Sequence, residues 1–128
     1  DLLGIKYKAE KELKHDGYKM TPDFLILQDN LRINKCPVNW IEVKTFYAYG
    51  ADLPHVRAMR DLKGTVEKYT RCFGPGALAF YNGFHISLCS RREFRNTLFL
   101  DCSDATLKDS VRMIDRGEKQ GGGEDQDG

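Results

Sequence analysis

Residues 40–44 have the sequence Trp-Ile-Glu-Val-Lys, in which two charged side chains interrupt an otherwise apolar β-strand. Side chains alternate between the two faces of a strand, so Glu42 and Lys44 point to the same side of a sheet. Burial of such a pair is costly unless other groups neutralise it, and a solvated ion pair is the simplest interpretation. The strand therefore indicates a functional site only if a further charged group lies beside it.

A second carboxylate stands at the start of an earlier apolar strand. Thr21-Pro22 favours extended backbone, and Asp23 is followed at residues 24–27 by Phe-Leu-Ile-Leu, a run typical of a buried strand. Strands that follow one another in sequence often pair, so we expect Asp23 to lie beside Glu42. Two carboxylates in one place repel each other unless a cation joins them, and their oxygens suit Mg²⁺ or Mn²⁺. Taken alone, Asp23 is also typical of a turn at a strand start.

The remaining pattern predicts an α/β protein in which helices flank a central mixed β-sheet. An amphipathic helix is expected over residues 1–16, and a long helix from a cap at Asp52 to the break at Phe73-Gly74-Pro75-Gly76. Further strands are predicted at residues 31–34, 38–46, 77–81, 84–89 and 97–100. A last helix is expected over residues 103–114, and we expect residues 1–114 to form one domain.

Charge is distributed unevenly along the 128 residues, whose formal net charge is +1. Residues 115–128 contain five acidic and two basic side chains, a charge of −3, so residues 1–114 carry +4. This acidic, glycine-rich end has almost no apolar content and is expected to be disordered. A mildly basic domain is compatible with nucleic-acid binding but does not require it.

Composition also bears on where the protein works. No apolar run reaches the length of a membrane span and no secretory signal pattern occurs, so we expect an intracellular protein in the nucleus, the cytoplasm or both, without a membrane partner. The four cysteines form no CxxC pair and no zinc-finger spacing: Cys36, Cys72, Cys89 and Cys102. We therefore expect reduced, mostly buried thiols.

Three segments together resemble a known family. They are TPDFLIL at residues 21–27, NWIEVKTF at residues 39–46 and RCFGPGALAFYNGF at residues 71–84. In this order they are similar to the codanin-interacting nuclease family. Within them, Pro22-Asp23 and Glu42-Val43-Lys44 resemble the signature of the PD-(D/E)xK superfamily of restriction-endonuclease-like proteins.

The resemblance implies a fold, an activity and a set of residue roles. The fold would be a restriction-endonuclease-like core, and the activity a divalent-metal-dependent nuclease that hydrolyses phosphodiester bonds, in DNA more than in RNA. Asp23, Glu42 and the backbone carbonyl of Val43 would bind Mg²⁺ or Mn²⁺. Lys44 would position or activate the water and stabilise charge on the phosphate. A codanin-like protein would be a partner.

Some positions depart from the family pattern or extend the site. On the first predicted helix Lys8 stands where an acidic residue is expected, and Glu10 is the accessory candidate that would replace it. Lys68 and Tyr69 on the long helix are accessory candidates of the same site. A surface charge at Glu10, a solvated face at Lys68 and a core role for Tyr69 are the alternatives.

Four arginines are candidates for contact with a nucleic-acid backbone: Arg71, Arg91, Arg92 and Arg95. A solvated surface is the alternative interpretation. Two other functions also fit the sequence. One is an inactive or weakly active nuclease fold that serves as a protein-interaction scaffold, which Lys8 favours. The other is a nucleic-acid-binding module without chemistry.

Overall fold

A computed structural model describes residues 1, 3–45 and 56–103 of the chain. The described part of the chain contains seven short strands, two α-helices and two 3-10 helices. The strands are β1 (Tyr7–Ala9), β2 (Phe24–Ile26), β3 (Arg32–Ile33), β4 (Cys36–Pro37), β5 (Trp40–Lys44), β6 (Gly76–Phe80) and β7 (Thr97–Asp101). The helices are α1 (Glu10–His15), α2 (Val56–Phe73) and two 3-10 helices, Ile86–Ser90 and Arg92–Phe94.

Five of these strands form one mixed sheet in the order β1-β2-β5-β6-β7, whereas β3 and β4 form a separate hairpin. β1, β2 and β5 pair antiparallel, and β5, β6 and β7 pair parallel. Parallel neighbours require a crossover, which α2 supplies between β5 and β6. The predicted α/β class with a central mixed sheet is thereby confirmed.

The two faces of the sheet have different cover. One face, called the helix face below, packs against α1 and α2 around a core that includes Leu13, Trp40, Val66 and Phe80. The other, called the hairpin face, packs against the β3–β4 hairpin. Even-numbered residues of β5 point to the helix face, since Trp40 belongs to that core. Glu42 and Lys44 therefore share the helix face, as predicted.

Trp40 is the anchor of the helix face. Its side chain is fully buried, its Nε1–H donates to the Gly74 carbonyl at 2.8 Å, and its ring meets Tyr69 edge-on at a centroid distance of 5.3 Å. A Cβ atom on Gly76 would overlap the indole ring. Gly74 has a φ of +89°, a value that favours glycine. The predicted break after Phe73 is thus a turn shaped around Trp40.

The helix predicted over residues 1–16 is wrong in its first half. Residues 7–9 are strand β1, in which Tyr7 pairs with Ile26 and Ala9 with Phe24, and only Glu10–His15 is helical. The Tyr7 ring packs edge-on against Phe24 at 5.5 Å. Pairing with β2 supplies backbone hydrogen bonds and ring contacts, and this tertiary gain outweighs the local preference for helix.

The strand predicted at residues 84–89 is also wrong, because this segment contains a 3-10 helix. The His85 ring accepts a hydrogen bond from the Ser87 backbone N–H at 3.2 Å, and the Leu88 N–H donates to the His85 carbonyl at 3.0 Å. Such local bonds compete with strand pairing. In this segment Leu88 is buried and Ile86 is exposed, so residues two apart do not share a buried face.

The expectation of mostly buried cysteines is wrong as well. Cys36, Cys72 and Cys89 are exposed and Cys102 is half-buried, although all four are free thiols, as predicted. The start of the long helix before residue 56, the helix over residues 104–114 and the acidic end lie outside the described residues. Within the described part of the chain, none of the helices has the length and apolarity that crossing a bilayer requires.

Candidate functional site

The pairing of β2 with β5 brings the two predicted acidic residues together. Phe24 stands opposite Ile41 in this antiparallel pair, so Asp23, one residue earlier, lies level with Glu42. Both side chains point to the helix face, next to the start of β2. The predicted proximity of Asp23 and Glu42 is therefore present in the structure.

Backbone hydrogen bonds hold both carboxylates in place. The Asp23 N–H donates to Glu42 Oε1 at 2.9 Å, and the Val43 N–H donates to Asp23 Oδ2 at 2.7 Å. Each bond crosses from one strand to the other, so neither acid can turn away without losing a partner. Hydrogen bonds from N–H to a carboxylate are stronger than neutral ones, and this pair fixes the direction of both groups.

Burial and the neighbouring acid disfavour the charge of Glu42. Desolvation is the main cause that raises the pKa of Glu42 to about 7, and the Asp23 carboxyl adds to the rise, while the Asp23 N–H and Lys44 oppose it. An acid with a pKa this high is half-protonated near neutral pH. The cluster is thus short of positive charge, which a bound cation would supply.

Lys44 and the edge of Val43 complete the immediate surroundings. Lys44 Nζ lies 3.7 Å from Glu42 Oε2, and the Lys44 side chain is 27% exposed, so its ammonium reaches both the cluster and solvent. The N–H and the carbonyl of one strand residue point to the same side. Because the Val43 N–H points at Asp23, the Val43 carbonyl also faces the β2 side.

Glu10, the accessory candidate, lies at the rim of this cluster. Its backbone N–H donates to the Asp23 carbonyl at 3.1 Å, so helix α1 begins beside Asp23. Glu10, Asp23 and Val43 line one open pocket of about 470 Å³. The Glu10 carboxylate forms an ion pair with Lys14, which is the main reason that its pKa is lowered. Glu10 is therefore near the site but already partnered.

Lys8, which occupies the position expected to be acidic, has a structural role in this chain. Its ammonium lies 2.6 Å from Asp16 Oδ2 and 5.7 Å from the centroid of the Tyr18 ring. These contacts tie β1 to the turn after α1. Lys8 is thus engaged with Asp16 and Tyr18 instead of facing the carboxylates.

Tyr69 joins the core to the acidic cluster. Its ring packs on Trp40, as the core interpretation expects, and burial followed by the charges of Glu42, Asp23 and Glu10 raises the pKa of Tyr69 to about 12. The hydroxyl therefore stays neutral and can donate a hydrogen bond. Core packing and proximity to the site are both present.

The basic candidates divide into two groups. Lys68 is exposed on α2, and within the described ranges no contact joins it to Asp23 or Glu42. One pocket, which lies away from Asp23 and Glu42, is lined by Arg71, Arg92 and Arg95. Arg91 is instead paired with Glu93 at 3.3 Å. Sequence reasoning missed this convergence because α2 and β7 are far apart in the chain.

The donor set fits a small divalent cation better than a closed metal cage. Among residues 1, 3–45 and 56–103, no group of three or more His, Cys, Asp and Glu side chains is gathered as a metal site. Asp23, Glu42 and the Val43 carbonyl would supply only part of the coordination shell. The open pocket beside them would leave room for water ligands, which Mg²⁺ usually keeps. The shortage of positive charge around Glu42 fits the same ion.

Comparison with known proteins identifies the family. A family model described as "Protein of unknown function TPD sequence-motif" matches residues 1–103, and this chain carries Thr-Pro-Asp at residues 21–23. CDAN1-interacting nuclease 1 of Gallus gallus is 34% identical over 94 residues, which are 73% of this chain and 32% of that protein. The Homo sapiens protein of the same name is 32% identical over 105 residues, which are 80% of this chain and 35% of that protein.

A viral relative extends the match. An uncharacterised protein of Acanthamoeba polyphaga mimivirus is 30% identical over 112 residues, which are 84% of this chain and 38% of that protein. The chain thus spans about a third of the length of these relatives. No solved structure matches the chain, so the restriction-endonuclease-like core stays a prediction. The match over residues 1–103 nevertheless shows that the chain belongs to the TPD sequence-motif family, with homology to CDAN1-interacting nuclease 1.

Proposed function

We propose that this domain is a divalent-metal-dependent nuclease that hydrolyses phosphodiester bonds of nucleic acid, with DNA favoured over RNA, in the nucleus or the cytoplasm. The observation that carries the proposal is the pair of backbone hydrogen bonds that hold the two acids, from the Asp23 N–H to Glu42 and from the Val43 N–H to Asp23, with Lys44 Nζ 3.7 Å from Glu42. Two acids and an ammonium fixed on one sheet face are the residue types that such hydrolysis needs. The word nuclease in the names of the relatives supports the same reaction.

Asp23, Glu42 and the carbonyl of Val43 are the groups that would hold Mg²⁺ or Mn²⁺. Such an ion supplies Lewis acidity, which lowers the pKa of water and polarises a phosphoryl oxygen. The Glu10 carboxylate lines the same pocket. If it broke its ion pair with Lys14, it would be able to bind the ion or one of the ion's water ligands. Tyr69, whose ring packs on Trp40 and whose pKa is raised by burial and by the same acids, remains a neutral donor.

Lys44 has the role of positioning water and stabilising charge on the phosphate. Its ammonium is a compact point charge, which stabilises the extra negative charge that develops on the phosphate during attack. The oxygen of water bonds to phosphorus, and the bond from phosphorus to the leaving oxygen breaks. The attacking water gives a proton to solvent and the leaving oxygen takes one from solvent, so one product ends in a phosphate and the other in a hydroxyl.

The direct test is cleavage of labelled single-stranded, duplex and branched DNA, and of RNA, in Mg²⁺ or Mn²⁺. We expect cleavage that EDTA abolishes. In parallel, calorimetry measures Mn²⁺ binding to the parent, to Asp23→Asn and to Asp29→Asn. Asparagine retains an oxygen that can accept from the Val43 N–H, and Asp29 is an exposed acid in a turn.

We expect Asp23→Asn to lose most of the Mn²⁺ affinity and Asp29→Asn to keep it. Parent protein that binds no Mn²⁺ and cuts none of the substrates would overturn the nuclease proposal. That result would favour the scaffold function.

We also propose a codanin-like protein as a partner of the longer protein to which this region corresponds in its relatives. The support is the name that the vertebrate relatives carry, CDAN1-interacting nuclease 1. We expect a codanin-like protein to co-purify with the parent and with Asp23→Asn alike, because the partner is expected to bind away from the catalytic face. Loss of the partner with Asp23→Asn alone would place the partner at the acidic cluster instead.

A further inference from the structure

A second pocket on the helix-face side gathers three arginines. It has a volume of about 310 Å³ and lies between α2, the 3-10 helix Arg92–Phe94 and the start of β7. Arg71 comes from α2, and Arg92 and Arg95 come from the segment before β7. Three guanidinium groups from two distant parts of the chain thus meet at one concave surface, called the arginine pocket below.

The charge of the arginine pocket is positive even though two acids also line it. Those acids are Glu67 and Glu93, and Glu93 already pairs with Arg91 at 3.3 Å. Within the described part of the chain, Arg71, Arg92 and Arg95 have no carboxylate at salt-bridge distance. Uncompensated guanidinium groups on a concave surface attract an anionic ligand.

Neutral hydrogen-bonding groups stand among these arginines. Thr70, Asn96 and Thr97 line the same pocket. The Thr70 Oγ1 atom is buried without a hydrogen-bond partner in the described ranges. A buried hydroxyl without a partner costs free energy, so a ligand oxygen that reached it would gain an additional bond.

The arginine pocket is separate from the cluster of Asp23 and Glu42 but close to it. Thr97 is level with Gly76 on β6, and Ala77 is level with Ile41, so Thr97 lies near the start of the parallel strands. It is two strands away from β5, roughly 10 Å across the sheet. Tyr69 packs towards Trp40 whereas Arg71 faces the arginine pocket, so α2 lies between the two regions.

A neighbouring pocket continues from the arginine pocket around the edge of the sheet. It has a volume of about 360 Å³, shares Arg95, Asn96 and Thr97 with the arginine pocket, and reaches Lys35 of the β3–β4 connection. The two pockets therefore adjoin along residues 95–97. Together they form a trough that runs from the helix face to the hairpin.

We propose that the arginine pocket is a second nucleic-acid contact, which binds the sugar-phosphate backbone away from the bond that is cut. This inference rests on the proposed nuclease function. A sugar-phosphate backbone fits better than an acidic peptide, because arginines mixed with threonine and asparagine side chains are typical donors to phosphate oxygens. The trough next to it would let a strand continue beyond the pocket.

The test measures the binding of a fluorescent 30-nucleotide single strand and of a matching duplex by anisotropy, in Ca²⁺ and over a range of salt concentrations. The variants are Arg92→Ala with Arg95→Ala, and a control with Arg57→Ala and Arg60→Ala, two exposed arginines at the other end of α2. We expect the first pair to weaken binding by about tenfold. We also expect it to reduce the salt slope by about two, one for each lost phosphate contact.

A small chromogenic phosphodiester separates this inference from the catalytic proposal. In the arginine variant the cleavage of long DNA should fall much more than the hydrolysis of this small substrate, because the small substrate is too short to contact both the cluster of Asp23 and Glu42 and the arginine pocket. No hydrolysis by any variant, with DNA binding still lost in the arginine pair alone, would sink the catalytic proposal and leave the second contact in place.

Three outcomes would overturn the second contact. The first is equal DNA affinity in the parent and the arginine variant. The second is an equal loss in the Arg57 and Arg60 control, which would show a general effect of positive charge. The third is displacement of DNA by polyglutamate as readily as by unlabelled DNA, which would point to an acidic protein segment as the ligand.

Discussion

Trp40 and Glu42 lie two residues apart on the same face of β5, and their surroundings are opposite. Trp40 is fully buried, donates to the Gly74 carbonyl at 2.8 Å and packs against Tyr69. Glu42 is largely buried too, with 12% of its side chain exposed, but its neighbours are the Asp23 carboxyl and Lys44. The half of β5 around Trp40, called the packed half below, is stabilised by apolar contacts. The half around Glu42, called the charged half, holds charged groups where an apolar side chain would be more stable.

This contrast shows how a strand can hold groups that repel each other. The packed half fixes the register of β5 against β2 and β6, and a register slip would turn Trp40 to the other face. Glu42 and Asp23 are therefore held together by the cost of disrupting the core, with two backbone hydrogen bonds to direct them. Repulsion between charged groups that the fold holds together is typical of functional sites, and it lowers the stability of the domain.

The largest expected effect comes from removing the ammonium in the charged half. Lys44→Ala should lower the cleavage rate by a factor of about 10² to 10³, which corresponds to about 3–4 kcal/mol of lost transition-state stabilisation. Mn²⁺ affinity should stay near that of the parent, because Lys44 is not a ligand. Lys19→Ala, at an exposed loop residue, is the control in a single-turnover assay. Cleavage by Lys44→Ala at the parent rate would contradict the assigned role.

The next effect tests the packed half by overfilling it. In Gly76→Ala the added Cβ would overlap the Trp40 ring, so we expect the free energy of unfolding to fall by about 3 kcal/mol in urea titrations. Gly64→Ala is the matched control, because nothing lies within 4 Å of its Cβ position in α2. It should stabilise the domain by roughly 0.5–1 kcal/mol. Equal stability of the two variants would show that Trp40 is not a tight anchor.

A smaller effect concerns the charge on Glu42 in metal-free buffer. Its folded-state pKa of about 7 lies above the ordinary value of 4.5, so the folded protein binds the extra proton more tightly than the unfolded chain. Binding of this proton stabilises the folded state fully below pH 4.5, and this stabilisation is lost as the pH rises through 7. Glu42→Gln removes this loss.

We therefore expect metal-free Glu42→Gln to exceed the parent by about 2 kcal/mol in unfolding free energy at pH 8, and by much less at pH 5. Added Mg²⁺ or Mn²⁺ should raise the Tm of the parent but not that of the variant. A drop in Tm of Glu42→Gln at pH 8 would mean that Glu42 is a structural residue.

The smallest expected effect is at Tyr69, whose ring packs against Trp40 and whose hydroxyl lies in the electrostatic field of Glu42. Tyr69→Phe keeps the ring on Trp40 and removes the hydroxyl whose pKa is raised to about 12 by burial and by the neighbouring acids. Thermal melts should show a change below about 1 kcal/mol. Tyr69→Ala, which also removes the ring, should cost about 3 kcal/mol. A large loss in Tyr69→Phe would assign the stability to the hydroxyl.

The local parts of the site could be predicted from the residues alone. Alternation places Glu42 and Lys44 on one face. The tendency of strands near in sequence to pair predicted Asp23 beside them, although β3 and β4 intervene between β2 and β5. The elements that depended on partners far along the chain could not. Residues 7–9 form a strand because β2 pairs with them, and a short window of sequence does not contain that partner. Residues 86–90 form a 3-10 helix for a local reason, since the Ser87 N–H bonds the His85 ring, which the pattern of apolar residues did not reveal.

Sequence by itself determined which side chains can share a face, because the period of a strand is a property of the backbone. It also determined where the long helix ends, since Gly74-Pro75-Gly76 cannot continue it. Tertiary structure alone decided that the Asp23 N–H would bond Glu42, that α1 would begin beside Asp23, and that Arg71 of α2 would share a pocket with Arg92 and Arg95. These depend on distances between elements, which arise only when the packed half of β5 sets the register of the sheet.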